Sequence, residues 1–122
     1  MNKNHAINMA LDNYNTHKNK MVSFEKMAPF MLRARVVEVG RDRLAQVKKK
    51  LACLLITTDI SENSKNEMLA SFSCPVYQHF TSEEIEAMFG FHGTKVLGFH
   101  RSPLTQSVLP LLAPYLVGRN AK

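Results

Sequence analysis

Tryptophan is absent from this chain of 122 residues, and cysteine, glycine and proline are sparse at two, five and five. Each scarcity excludes something. Without tryptophan, and with Tyr14, Tyr77 and Tyr115 scattered, no aromatic platform is offered on which successive bases could stack. The few glycines form no phosphate-cradling loop, no dinucleotide fingerprint and no Gly-x-Ser-x-Gly elbow. Cys53 lies inside an apolar run and Cys74 just before Pro75, so the pair reads as two reduced thiols and not as a disulfide framework. Cys74, His79, His92 and His100 lack Cys-x-x-Cys or His-x-x-x-His spacing, and no metal or cofactor is expected. Long apolar runs are missing too: none approaches the roughly 20 residues that span a membrane. The opening residues 1–8 are too polar for a secretory signal. A soluble, cytoplasmic chain with no membrane partner is the expectation.

Acidic residues are scarce in one half only. Residues 1–50 carry 11 Lys/Arg against 4 Asp/Glu, whereas residues 51–122 carry 5 against 6. A one-sided positive field suits a polyanion, RNA or DNA before a membrane surface, because neutralised phosphates release counterions. Solubility charge with a basic tail accounts for the same numbers, and charge alone does not choose.

The most informative stretch is Leu51-Ala-Cys-Leu-Leu-Ile-Thr-Thr-Asp59. Its hydrophobicity is continuous, not alternating, which marks a strand covered on both faces. Residues 1–22, rich in Asn with Lys and His, lack an apolar period and read as an arm; residues 119–122 are a tail, leaving one domain over 23–118. Phe24, Met27, Ala28, Met31 and Ala34 share a helical face. Val36 to Val39 is a short strand stopped by Gly40. Residues 40–50 form a second helix, with Leu44, Val47 and Leu51 facing the sheet and Arg43, Gln46 and Lys50 facing out. Ser61 caps a helix reaching Phe72, whose inner residues are Met68, Leu69 and Phe72. Residues 74–80 are a strand, with Pro75 at its start. Thr81 and Glu84 are a capping box for a helix that ends at Gly90. Residues 95–100 are a strand, and Ser102-Pro103 opens a last helix running from Leu104 to Leu116 with Pro110 inside it. Helices alternating with strands predict a three-layer α/β/α sandwich around a four-stranded mixed sheet.

Leu54 through Lys65 resembles the strand–Asp–helix signature of the kink-turn RNA-binding ribosomal protein family, the L-seven-Ae and L-thirty-e type, and its bacterial branch in particular. Gly40 before the second helix, Pro75-Val-Tyr-Gln before the capping box, and Gly90 before a loop and Val96-Leu-Gly-Phe follow the same order, over roughly residues 27 to 112. The resemblance implies an L-thirty-e-like domain that grips bent RNA with two elements. One is the helix start, which falls here on Gly40, Asp42, Arg43 and Gln46. The other is the loop Gly90, Phe91, His92, Gly93, Thr94 and Lys95. Asp42, Arg43 and Gln46 stand where the family carries Asn, Glu and Lys. A guanidinium cannot accept from a base edge as a carboxylate does, so contact with the RNA backbone is implied in place of base reading.

Arg41, Arg43, Lys48, Lys49 and Lys50, extended by Arg33 and Arg35, are the candidate phosphate face; charge runs are also ordinary solvated faces. His92, Thr94 and Lys95 are either an RNA-contacting loop or a plain turn between Gly90 and Gly93. Asp59, Ser61 and Ser102 lie where α/β sheets place chemistry, but capping accounts for both serines, and no enzyme is expected. The expected function is therefore non-enzymatic binding of structured RNA, ribosomal RNA included. The alternative is a protein-interaction module or homodimer on the same fold, using Leu111, Leu112, Tyr115, Leu116 and Val117 of the last helix. A detached accessory domain of an RNA-modifying enzyme is the third reading.

Overall fold

Leu51–Ile56 forms β2, the strand that the apolar run requires, and its burial on both faces sets the layers around it. The computed structural model describes residues 23–118, so the arm and tail expected at residues 1–22 and 119–122 lie outside the described residues. Around β2 the chain places α1 (Phe24–Arg33), β1 (Val37–Val39), α2 (Arg41–Gln46), a 3-10 turn (Lys48–Lys50), α3 (Glu62–Ser71) and β3 (Val76–Gln78). Then come α4 (Ser82–Phe89), β4 (Val96–His100), α5 (Pro103–Leu112), a second 3-10 turn (Ala113–Tyr115) and β5 (Leu116–Gly118). The sheet runs β1-β4-β2-β3-β5, with β2 and β3 parallel and the other neighbours antiparallel.

One core packs α1, α4 and α5 on a single side: Phe24, Met27, Ala28 and Met31 meet Cys53, Leu55, Leu97 and Phe99 of the sheet, with Ile85, Phe89, Val108 and Leu112. Three rings close on Phe24, from Phe80, Phe89 and Phe99, at centroid distances of 5.7, 6.0 and 5.9 Å. On the other side Leu44, Val47, Met68 and Phe72 cover Leu51, Leu54, Ile56 and Val76. Leu51 and Cys53 would share a face in a regular strand. They do not, because β2 slips register against β4 at Ala52: Leu51 pairs with His100 but Cys53 with Phe99. This bulge lets Leu51 face α2 while Cys53 faces α1.

Several local expectations hold in the structure. Thr81 and Glu84 form the capping box, Gly90 ends α4 in the left-handed region at φ 86°, and Ser61 and Ser102 cap α3 and α5. Both cysteines are free.

Three expectations are corrected. The sheet has five strands, not four. The last helix ends at Leu112, because Pro114 has no N–H to continue the helical ladder, and the chain tightens into a 3-10 turn before Leu116–Gly118 adds to β3. As a result Leu112 is buried in the core, and Leu116 and Val117 are exposed on a strand, not on a helix. The second helix also stops early, at Gln46, so Lys50 does not share a helical face with Arg43 and Gln46.

Candidate nucleic-acid interface

β1 and β2 both run from a lower end, where they start, to an upper end, where they finish, and β4 runs back between them. Val39 pairs with Leu97, so Gly40 and the start of α2 stand beside the residues that lead into β4. The two elements singled out by sequence, the α2 start and the Gly90–Lys95 loop, therefore meet at the upper end. Gly40 turns the chain there at φ 97°, a conformation that glycine adopts without a steric cost.

Arg41, Arg43, His92 and Lys95 at this end are engaged. Arg41 donates to Glu67 at 2.9 Å and to Ser64 at 3.0 Å. Arg43 spans Glu38 at 3.1 Å and Gln46 at 3.3 Å. His92 meets Glu86 at 2.9 Å, tying the loop to α4. Asp42 is exposed and pairs with none of the described residues.

Sequence reasoning missed the most connected cluster here. Asp59, three residues past β2, accepts the Ser82 hydroxyl at 2.6 Å, the Ser82 N–H at 3.2 Å and the Lys95 ammonium at 3.1 Å. Lys95 also donates to the Ser82 hydroxyl at 3.3 Å. The Ser82 hydroxyl, then the nearby Thr57 hydroxyl and Lys95, hold the Asp59 carboxyl well below the usual carboxylate range. Thr57 Oγ1 itself is buried with no partner in full hydrogen-bond geometry. The cluster welds the end of β2, the start of α4 and the start of β4 together. Its signal in the sequence was an Asp at a strand end followed by the Thr81-Ser82 cap. Asp59, Ser61 and Ser102 each hold a helix start, Ser61 accepting from the N–H of Ser64 and Ser102 from that of Thr105.

The remaining candidates lie elsewhere. Arg35 precedes β1 and Lys50 precedes β2, so Arg33, Arg35, Lys48, Lys49 and Lys50 gather at the lower end, about 20 Å from the upper one at the rise of a six-residue strand. The single phosphate face expected from Arg33 through Lys50 is thus divided between two ends of the sheet. The reason is strand direction: a helix face reads as continuous in sequence, whereas the strands carry its ends apart.

Glu38, in the middle of β1, accepts from Arg43 and faces His100 Nε2 at 2.8 Å; His100 first and then Arg43 lower its carboxyl below the ordinary value. No cluster of three or more metal-ligating side chains occurs among the described residues, and no helix among them is long and apolar enough to cross a membrane.

No protein-family model matches the chain, and no curated protein matches its sequence. Among solved structures it is similar to a protein of unknown function from Bacillus halodurans C, with a TM-score of 0.65 at 16% identity, covering 73% of this chain and 95% of that one. That likeness shows a shared mixed α/β fold.

Proposed function

We propose that this chain is a small, non-enzymatic RNA-binding protein with an L-thirty-e-like fold, associated with the ribosome or with RNA processing. The observation that carries the reading is the meeting of the α2 start with the Gly90–Lys95 loop at the upper end of the sheet through the β1–β4 register. These are the two elements that the resembled family uses to hold bent RNA. The α2 start and the exposed His92 and Gly93 would face the RNA backbone.

Fluorescence anisotropy with a kink-turn RNA, an unstructured RNA and a DNA duplex tests the reading. Tighter binding of the kinked RNA, weakened severalfold by the double substitution His92→Ala, Thr94→Ala, is expected. Equal affinity for all three, unaffected by those substitutions, would remove the upper end from the reading.

A second reading, a protein-interaction module on the same fold, draws on Leu116 and Val117, which are exposed on the edge strand β5. Concentration-dependent mass by light scattering, abolished by Val117→Lys, would favour it over RNA binding.

A further inference from the structure

Three separated segments bring six cations to the lower end of the sheet: Arg33 and Arg35 from the α1–β1 turn, Lys48, Lys49 and Lys50 from the 3-10 turn, and Arg101 from the β4–α5 turn. Backbone hydrogen bonds fix the segments side by side. His100 N–H donates to the Val36 carbonyl at 2.8 Å and Arg101 N–H to the Lys50 carbonyl at 3.0 Å. The Arg101 guanidinium also donates to the Lys49 carbonyl at 2.6 Å.

None of the six forms an ion pair with a described residue, whereas Arg41, Arg43 and Lys95 each do. No Asp or Glu occurs in residues 33–37, 47–52, 71–75 or 100–103, the described segments at this end. Glu38, the next residue along β1, is already shared by Arg43 and His100. Helix dipoles offset little of the excess: α1 and α3 finish here and α5 starts here, a net of roughly half a negative charge against six positive ones. Six like charges held together without counter-charges among the described residues are a cost to the fold, relieved when a polyanion arrives.

The backbone points the same way. Arg35 sits at φ 61°, in the left-handed region, as the turn residue of a helix-ending motif in which Arg35 N–H bonds the Leu32 carbonyl at 3.1 Å and Val36 N–H the Met31 carbonyl at 3.2 Å. Glycine is the residue that this position favours. An arginine occupies it here, at the rim of the basic end.

We infer that the lower end of the sheet is a second nucleic-acid surface, one that takes the phosphodiester backbone irrespective of sequence while the upper end takes RNA shape. The inference rests on the RNA-binding reading, and it makes the domain a two-ended contact. A lipid surface is the poorer fit: of the exposed large apolar side chains only Leu32 neighbours this end, Leu116 and Val117 lying on β5. Cations spread over the starts of β1 and β2 and the end of β4, strands about 4.8 Å apart, instead suit several phosphates along a strand.

The test compares the parent, the triple variant Lys49→Gln, Lys50→Gln, Arg101→Gln, the single variant Arg35→Gly, and the loop variant His92→Ala, Thr94→Ala. Each is titrated against labelled oligouridylate and a kink-turn RNA at several salt concentrations. The triple variant should lose at least tenfold in affinity for both RNAs at low salt, with the log–log salt slope shallower by about 2, near 0.7 per lost contact. Arg35→Gly should weaken binding while leaving Tm unchanged or raised, an outcome that misfolding cannot produce. Parent-like slopes in the triple variant overturn the inference, and the RNA reading then stands on the loop variant alone. Loss confined to the loop variant overturns it in the same way. A parent that binds neither RNA removes both. Tighter parental binding to phosphatidylglycerol vesicles or polyglutamate than to RNA, lost in the triple variant, assigns the lower end to another partner and also overturns the inference.

Discussion

Asp59 takes both donors of Ser82, the hydroxyl at 2.6 Å and the backbone N–H at 3.2 Å, so one carboxylate caps α4 and anchors it to the end of β2. Asp59→Asn is expected to lower Tm at neutral pH, because the amide carries no charge for Lys95 and accepts more weakly. The sign of its pH dependence follows from the direction of the Asp59 shift. A carboxyl held below its unfolded value stabilises the fold above that value, about 3.9, and the contribution disappears as pH falls. The gap in Tm between parent and variant should therefore be full above about pH 5 and shrink below pH 4. A gap that widens on acidification would refute the assignment.

A β-carbon added at Gly98 would stand 2.6 Å from Leu44 Cδ2 and 3.0 Å from Leu51 Cδ2. Gly98→Ala should cost about 1–3 kcal/mol, the range for overpacking a core. The combination with Leu44→Ala should be less damaging than the sum of the two single changes, since the shortened side chain makes room. Urea denaturation of the four proteins measures the coupling, and strict additivity would show that α2 does not pack on Gly98.

Leu55 is buried without exposure on β2, in the core under α1. Leu55→Ala should destabilise by about 2–5 kcal/mol, whereas Ala87→Ser on the exposed side of α4 should stay within about 0.5 kcal/mol. Equal urea midpoints for the two would contradict the burial.

Burial, aided by the neighbouring Cys74, pushes the Cys53 thiol far above its ordinary range, and burial raises Cys74 less. In the native protein at pH 8, iodoacetamide should leave Cys53 unmodified and alkylate Cys74 slowly, and urea should expose both. Peptide mass spectrometry reads the outcome, and rapid native modification of Cys53 would contradict its place in the sheet.

Much of the local structure was legible because its determinants are local. Thr81 and Glu84 need only each other, Gly90 needs only its own φ, and Ser102-Pro103 marks a helix start by residue type. What escaped depends on pairing. The continuous apolar run of β2 shows burial but hides the bulge at Ala52, since a misplaced Leu looks like any other. β5 escaped because three residues adjoining an apolar helix carry no period of their own. The two ends of the candidate interface could not be separated from sequence, because Arg43 and Lys50 stand seven residues apart, a helical interval, until the helix stops at Gln46. The Asp59–Ser82–Lys95 cluster joins positions 23 and 36 residues apart, which only the sheet brings together.

The bulge at Ala52 makes the pairing of β2 with β4 as constrained as its composition. Removing Ala52 would leave Leu51 on its present side in a regular alternation, whereas straightening β2 with Ala52 retained would return Leu51 to the face of Cys53. In that straightened strand Leu51 would leave Gly98 and α2 and crowd the space beneath α1, and the 3-10 turn that carries Lys48–Lys50 would rotate with it. A register slip of a single residue thus holds together both a core and a surface, whereas exchanging one apolar residue for another of similar volume leaves the parity of the strand intact.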